Sequence, residues 1–149
     1  MMPGRISQEV VADRLNWIDR MLSGIRMLPL DDREEFFSDT RNLAAAESYL
    51  RRALESLSDL GRHILAKGFG VGVMEYKDIA LRLQEMGILS PEDGTLLAKI
   101  ANYRNRLVHF YHEVEPDELY SLCRDQLVDI ERITNVLRKW INEHVEPFE

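Results

Sequence analysis

Apolar residues in this chain recur every three or four positions, and in no long stretch do they alternate. From Leu43 onward, Ala46, Leu50, Ala53, Leu54, Leu57, Leu60 and Ile64 keep a helical period until "KGFGVGV" interrupts it. A stripe of this kind belongs to a helix burying one face; a half-buried strand would alternate apolar and polar positions. Val10, Val11, Leu15, Ile18, Leu22 and Ile25 form a second stripe that ends before Pro29, so a first helix is expected from about Ser7 to Leu28. Asp31 with Glu34 resembles a capping box and Ser38-Asp39 offers another cap, so "DDREEFF" is either a short helix or the first turns of a long one. "YKDIALRLQEMG" reads as a shorter helix stopped by Gly87. "SPEDGTLLAKIANYRNRLVHF" opens with Ser90 as N-cap, Pro91 at the first helical position and two acids in the first turn. Pro116 opens a last helix, in which Leu119, Leu122, Leu127, Ile130, Ile133, Leu137 and Ile141 carry the stripe to about Val145. The expected fold is all-α: an antiparallel up-and-down bundle of four long helices plus one short helix.

Neither an internal repeat nor a linker-like tract divides the 149 residues, so one domain spanning 1–149 is expected. A chain of this length buries roughly 68–70% of its unfolded surface without covalent staples. Its one cysteine, Cys123, excludes an internal disulfide framework and a cysteine-based zinc cluster, as a reducing cytoplasm would permit. No apolar run approaches the ~18–20 residues of a membrane span, and "MMPGRISQEVVADR" lacks the apolar stretch of a signal peptide. The expectation is a cytoplasmic protein with no membrane partner.

A net charge of −7 argues against general nucleic-acid binding, which rests on neutralising phosphates with Lys and Arg. The charge is uneven, however. Residues 99–112 hold Lys99, Arg104 and Arg106 and no acid, so this window is +3 and the remainder −10. Within it "NYRNRLVHFYHEVEP" places two arginines, two histidines and two tyrosines within ten positions.

Other polar features have plainer readings. The alternating glycines of "GFGVG" would suit a phosphate cradle only after a strand and before a helix N-terminus, and with no strand available they read as a connector. Glu55, Asp59 and His63 share one face of the long helix, opposite the leucine stripe; they read as a solvated face unless another helix or chain covers them. Cys123 reads as a small core or interface residue and His144 as surface.

The 102–116 segment is different. Leu96, Ile100, Tyr103, Leu107 and Phe110 are its expected core stripe, with Asn105, His109 and His112 on the far side. Arg104 and Tyr111, seven apart, project near the stripe's edge. A guanidinium there must find an acidic partner, a groove or a ligand, because an isolated buried charge is too costly to keep. Arg104 and His109 lie about 140° apart on a regular helix. They converge only where the helix ends or deforms, or by lining opposite walls of a groove closed by another chain. Titratable imidazoles beside a fixed positive charge suit phosphodiester chemistry, though a structural role is equally open on these grounds.

Arg104, Asn105, His109 and Tyr111 together match R-N-x-x-x-H-x-Y, and the segment resembles the HepT-like branch of the HEPN superfamily. "AAAESYLRRALESLSDLGRHILAK" and "YKDIALRLQEMGILSPE" fit that family too, so the similarity extends over roughly residues 7–140. The resemblance implies a homodimer with the motif helices beside the two-fold axis, both copies of Arg104 and His109 lining one cleft. It implies RNA cleavage with no metal or other cofactor, in which the substrate's 2′-OH attacks the adjacent phosphate. In that scheme His109 is the acid-base residue, Arg104 stabilises charge on the phosphate oxygens, and Asn105 positions substrate or imidazole. The implied partner is an MNT-type nucleotidyltransferase antitoxin that adds AMP to the motif tyrosine, here Tyr111. Asp59 or Glu55 is the place to look for a supporting acid, and His112 is a further candidate. The competing implication is a non-catalytic HEPN-type subunit that binds a nucleotide or partner within a nucleotidyltransferase complex.

Overall fold

The computed structural model describes residues 5–109 and 114–145, with the backbone alone for His109. Most of its helices begin where a side chain accepts from an N–H that the first turn leaves free. Helix α1 (Gln8–Arg26) follows Ser7, whose Oγ accepts from the Val10 N–H at 3.2 Å. Helix α2 (Arg33–Ser38) follows Asp32, whose Oδ1 accepts from the Glu35 N–H at 3.1 Å. The expected Asp31/Glu34 box is therefore one residue early, because Asp32 is the acid that reaches a free N–H. Asp39 then stands in extended backbone and caps α3 (Thr40–His63) through the Arg41 N–H at 2.9 Å. "DDREEFF" thus contributes a short helix of its own.

Helix α3 widens at its end into a π-helical turn, Ile64–Gly68. No strand precedes the glycine stretch, and Gly70, with φ of +67°, turns the chain toward α4 (Tyr76–Glu85). Gly87 closes α4 in the left-handed region, φ +78°, its N–H donating to the Gln84 carbonyl at 3.0 Å. Helix α5 (Pro91–His109) starts as its sequence indicates, with Ser90 Oγ accepting from the Asp93 N–H at 3.1 Å.

One expected helix is two. The span from Pro116 to Val145 breaks at Gln126, φ −106° and ψ 0°, into α6 (Pro116–Asp125) and α7 (Leu127–His144). Leu122 and Leu127 are five residues apart, about 140° on an unbroken helix. The break rotates α7 so that Leu127, Ile130, Ile133, Leu137 and Ile141 all enter the core. The described residues therefore hold four long helices, α1, α3, α5 and α7, with three shorter ones instead of one, and no strand.

Helix α3 lies at the centre, packed against every other helix. Each residue of its expected stripe, from Ala46 to Ile64, is at most 3% exposed. Gly61 lets α4 approach closely: a Cβ there would stand 2.9 Å from Ile79 Cγ2. On α5 the buried set is Leu97, Ile100, Ala101 and Leu107, whereas Leu96 and Tyr103 sit half-buried at its margin. The core face thus keeps Ile100 and Leu107 as expected but extends toward Leu97 and Ala101 in place of Leu96 and Tyr103. Phe110 lies outside the described residues. No helix among those described is long and apolar enough to cross a membrane.

Two ion pairs tie α5 to its neighbours. Asp93, 8% exposed, accepts from Arg132 Nε of α7 at 2.8 Å. Arg106 makes a forked pair with Glu118 of α6 at 2.9 and 2.7 Å. The six-residue α2 is held chiefly by Phe36, which is fully buried against the rings of Phe37 and Tyr120 at 5.1 and 4.9 Å. Replacing Phe36 by Ala removes this anchor and should cost about 3–5 kcal/mol in urea unfolding. A loss under about 1 kcal/mol would mean that α2 contributes little to the core.

Candidate functional site

Two arginines on α5, two residues apart, meet opposite surroundings. Arg106 is neutralised by Glu118, as described. Arg104 has no carboxylate partner among the described residues. Its Nη1 donates to Asn105 Oδ1 at 3.1 Å, and its guanidinium carbon lies 3.9 Å from the centre of the Tyr76 ring. Its Nε is buried and makes no hydrogen bond within the described structure. Of the three fates open to Arg104 from sequence, an acidic partner is therefore not the one this chain itself supplies among the described residues.

Tyr76, the first residue of α4, joins the site to α3. Its hydroxyl donates to Asp59 Oδ1 at 3.1 Å. Burial, and then the charge of Asp59, push the phenol pKa above its ordinary value, outweighing Arg104 and Arg62, so the hydroxyl remains a donor at neutral pH. Arg62 lies over the same ring at 4.8 Å, reaches Asp59 at 4.0 Å and donates to the Met74 carbonyl at 3.3 Å. Like Arg104, it keeps a buried Nε without a partner. Three helices thus converge: Asp59 and Arg62 from α3, Tyr76 from α4, Arg104 and Asn105 from α5. Sequence reading missed Tyr76 and Arg62. Arg62's i,i+3 spacing from Asp59 was visible, but nothing local links residue 76 to residue 104.

The polar face of α3 is not the solvated surface expected. Glu55, Asp59 and His63 are all half-buried, and they do not act together. Glu55 pairs with Arg51 one turn away at 3.2 Å, while Asp59 alone turns toward the Arg104 cluster. His63 secures the start of α1: its Nε2 accepts from the Ser7 N–H at 3.0 Å. Burial, followed by the positive charges of Lys67 and Arg14, holds its pKa below 6.5. Cys123 is 1% exposed, its thiol pushed up to about 12 by burial, so it belongs to the core and not to a nucleophilic site. His144 is exposed and stacks on Trp140.

His109 ends α5, five residues beyond Arg104, and its imidazole is not among the described side chains. Tyr111 and His112 lie outside the described residues. The site as described therefore comprises Arg104, Asn105 and the Tyr76–Asp59 pair, at the end of α5 where the motif histidine stands. No group of three metal-ligating side chains occurs among the described residues.

A family model described as "Ribonuclease HepT-like" matches residues 18–137. The curated "tRNA nuclease HepT" of Aphanizomenon flos-aquae (strain 2012/KM1/D3) is 24% identical over 115 residues, covering 77% of this chain and 78% of that protein. The tri-AMPylated HEPN toxin of Shewanella oneidensis, solved in complex with MNT antitoxin, shares the fold with a TM-score of 0.79, 20% identity and coverage of 89% of this chain and 99% of that one. YutE of Bacillus subtilis, a cytosolic protein of unknown function, does so with a TM-score of 0.79, 19% identity and 98% coverage of each chain.

Two measurements separate structural from other roles here. Arg106→Ala strands Glu118 in a partly buried position and should lower stability by about 1–2 kcal/mol, discounted for partial exposure. Arg104→Ala loses a ring contact and one hydrogen bond to the neighbouring Asn105, which water can replace, and should cost about 0.5–1 kcal/mol; equal losses would show Arg104 to be a structural residue. The second concerns pH. Because the folded pKa of His63 lies below its unfolded value, its stabilising bond to Ser7 is fully present above about pH 6.5 and lost as pH falls through the depressed folded value. The urea midpoint should fall between about pH 7 and pH 5 more steeply in the wild type than in His63→Gln. Parallel slopes would contradict this.

Proposed function

The chain belongs to the HepT-like family, and on that premise we propose that it is the ribonuclease toxin of a HEPN/MNT toxin–antitoxin pair. The observation that supports this most is Arg104, a partly buried guanidinium packed on a ring and an amide with no acid among the described residues to neutralise it. Such a group retains its charge for an anion. A phosphate of an RNA chain is the anion this reading supplies, and the curated relative is named for tRNA.

The mechanism follows from these residues. His109 takes the proton of a ribose 2′-OH, the 2′-oxygen attacks the adjacent phosphorus, and the bond from phosphorus to the 5′-oxygen breaks. The departing 5′-oxygen receives a proton from an imidazolium, so the products are a cyclic phosphate end and a 5′-hydroxyl. Arg104 stabilises charge on the non-bridging oxygens, and Asn105, bonded to Arg104, keeps the guanidinium aimed. Asp59 is the supporting acid in preference to Glu55, since it alone reaches the cluster, through Tyr76. A second copy of the chain brings its own α5 alongside. This places residues 140° apart on one helix on opposite walls of a shared cleft.

Neutralisation by an MNT-type nucleotidyltransferase follows the same electrostatics. An adenylate on Tyr111 carries a phosphate that would occupy the anion's place at Arg104. The tri-AMPylated Shewanella toxin with its MNT antitoxin supports this reading.

Purified unmodified protein should cleave tRNA in EDTA, with His109→Ala and Arg104→Ala each lowering the rate by about 10²- to 10³-fold. Intact RNA with dimeric, unmodified wild-type protein would overturn the nuclease reading. If a complex with the nucleotidyltransferase still formed, the chain would be a non-catalytic binding subunit.

A further inference from the structure

Arg104 and Asp59 are opposite charges on adjacent helices, yet they do not pair. Tyr76 stands between them. Its hydroxyl occupies Asp59 Oδ1 at 3.1 Å, and its ring supports the Arg104 guanidinium at 3.9 Å. Arg62, at 4.0 Å from Asp59, supplies part of the acid's countercharge. By contrast Arg106 has closed on Glu118 in a forked pair.

We propose that Tyr76 is a positioning residue that intercepts Asp59 and so keeps Arg104 unpaired for the substrate phosphate. The inference rests on the nuclease reading for its substrate and on the described geometry for everything else. A guanidinium over a ring is attracted to it, but the ring carries no net charge and leaves the forked N–H donors available. A carboxylate would take two of those donors and cancel the charge. A phenol placed at this point therefore does two things with one side chain: it satisfies the acid and holds the arginine.

Variants at residues 76, 59 and 104 separate this from a packing role. Tyr76→Phe keeps the ring and frees Asp59; Tyr76→Leu removes ring and hydroxyl, so that Arg104 swings to Asp59. Tyr76→Leu should lower kcat for RNA cleavage by at least about tenfold with a smaller change in KM, and Tyr76→Phe should lie between it and the wild type. Because Asp59 is itself the supporting acid, the comparison is made in its absence: Tyr76→Leu should lower the rate of Asp59→Asn far less than it lowers that of the wild type, because no acid remains to capture Arg104. Tyr76→Leu should add nothing to Arg104→Ala. An equal fold-loss from Tyr76→Leu in the wild-type and Asp59→Asn backgrounds, at unchanged stability, would overturn the proposal.

A second readout does not need catalysis. The Arg104 Nε–H proton resonance, assigned by its disappearance in Arg104→Lys, should lie upfield from the ring current of Tyr76. It should move downfield in Tyr76→Leu and less far in Tyr76→Leu/Asp59→Asn. That pattern in a protein that cuts no RNA would retain the positioning role and reject the nuclease. Cleavage by the wild type with an Arg104 signal indifferent to residue 76 would do the reverse.

Discussion

Everything in this fold depends on one buried helix. α3 presents Ala46, Leu50, Ala53, Leu54, Leu57, Leu60 and Ile64 at 3% exposure or less, and all six other helices pack on it. Burial on that scale is the main favourable term available to a chain without disulfides. Its geometric consequence is as important: α3 sets the spacing of α4 and α5, and Gly61 sets how near α4 comes. The polar residues at the edge of α3, Asp59 and Arg62, are therefore delivered to Tyr76 and through it to Arg104.

The site is a study in which charges are allowed to meet. A partly buried arginine ordinarily acquires a carboxylate, and Arg106 does so through two hydrogen bonds to Glu118. Arg104 is satisfied instead by a π face and an amide oxygen, with Nε left over. An arrangement of that kind is less stabilising than a salt bridge would be, and such local sacrifices concentrate at sites that bind or react. In the overall acidic chain it leaves Arg104 without a carboxylate among the described residues, in the segment where the chain's positive charge is concentrated.

Much of this was legible in the sequence. The period of the apolar residues gave the helices, Ser90-Pro91 gave the start of α5, and the spacing R-N-x-x-x-H-x-Y marked Arg104 and Asn105. What was not legible depended on pairing between distant segments. The break at Gln126 was hidden because Leu122 and Leu127 read as one continuous stripe, although their five-residue step does not fit an unbroken face. The polar face of α3 looked solvated because the wheel of one helix cannot reveal that α1 covers His63 and α4 reaches Asp59. Tyr76 was invisible for the same reason. A lone aromatic at a helix start has no local signature, and its role exists only once residues 59, 76 and 104 share a place.

The two ion pairs on α5 have a mechanical meaning. Asp93, in the first turn, is gripped by Arg132 of α7, and Arg106, near the last turn, by Glu118 of α6. The grips are thirteen residues apart, about 20 Å along the axis. A rod held at one point can spin, whereas a rod held at both ends against different neighbours cannot. Working groups must hold their direction to within about 10–20°, and a helix turns 100° with each residue. The break at Gln126 lets one stretch of chain reach both ends of α5, and these pairs act with the buried Leu97, Ile100, Ala101 and Leu107 to set its rotation, and with it the direction of Arg104.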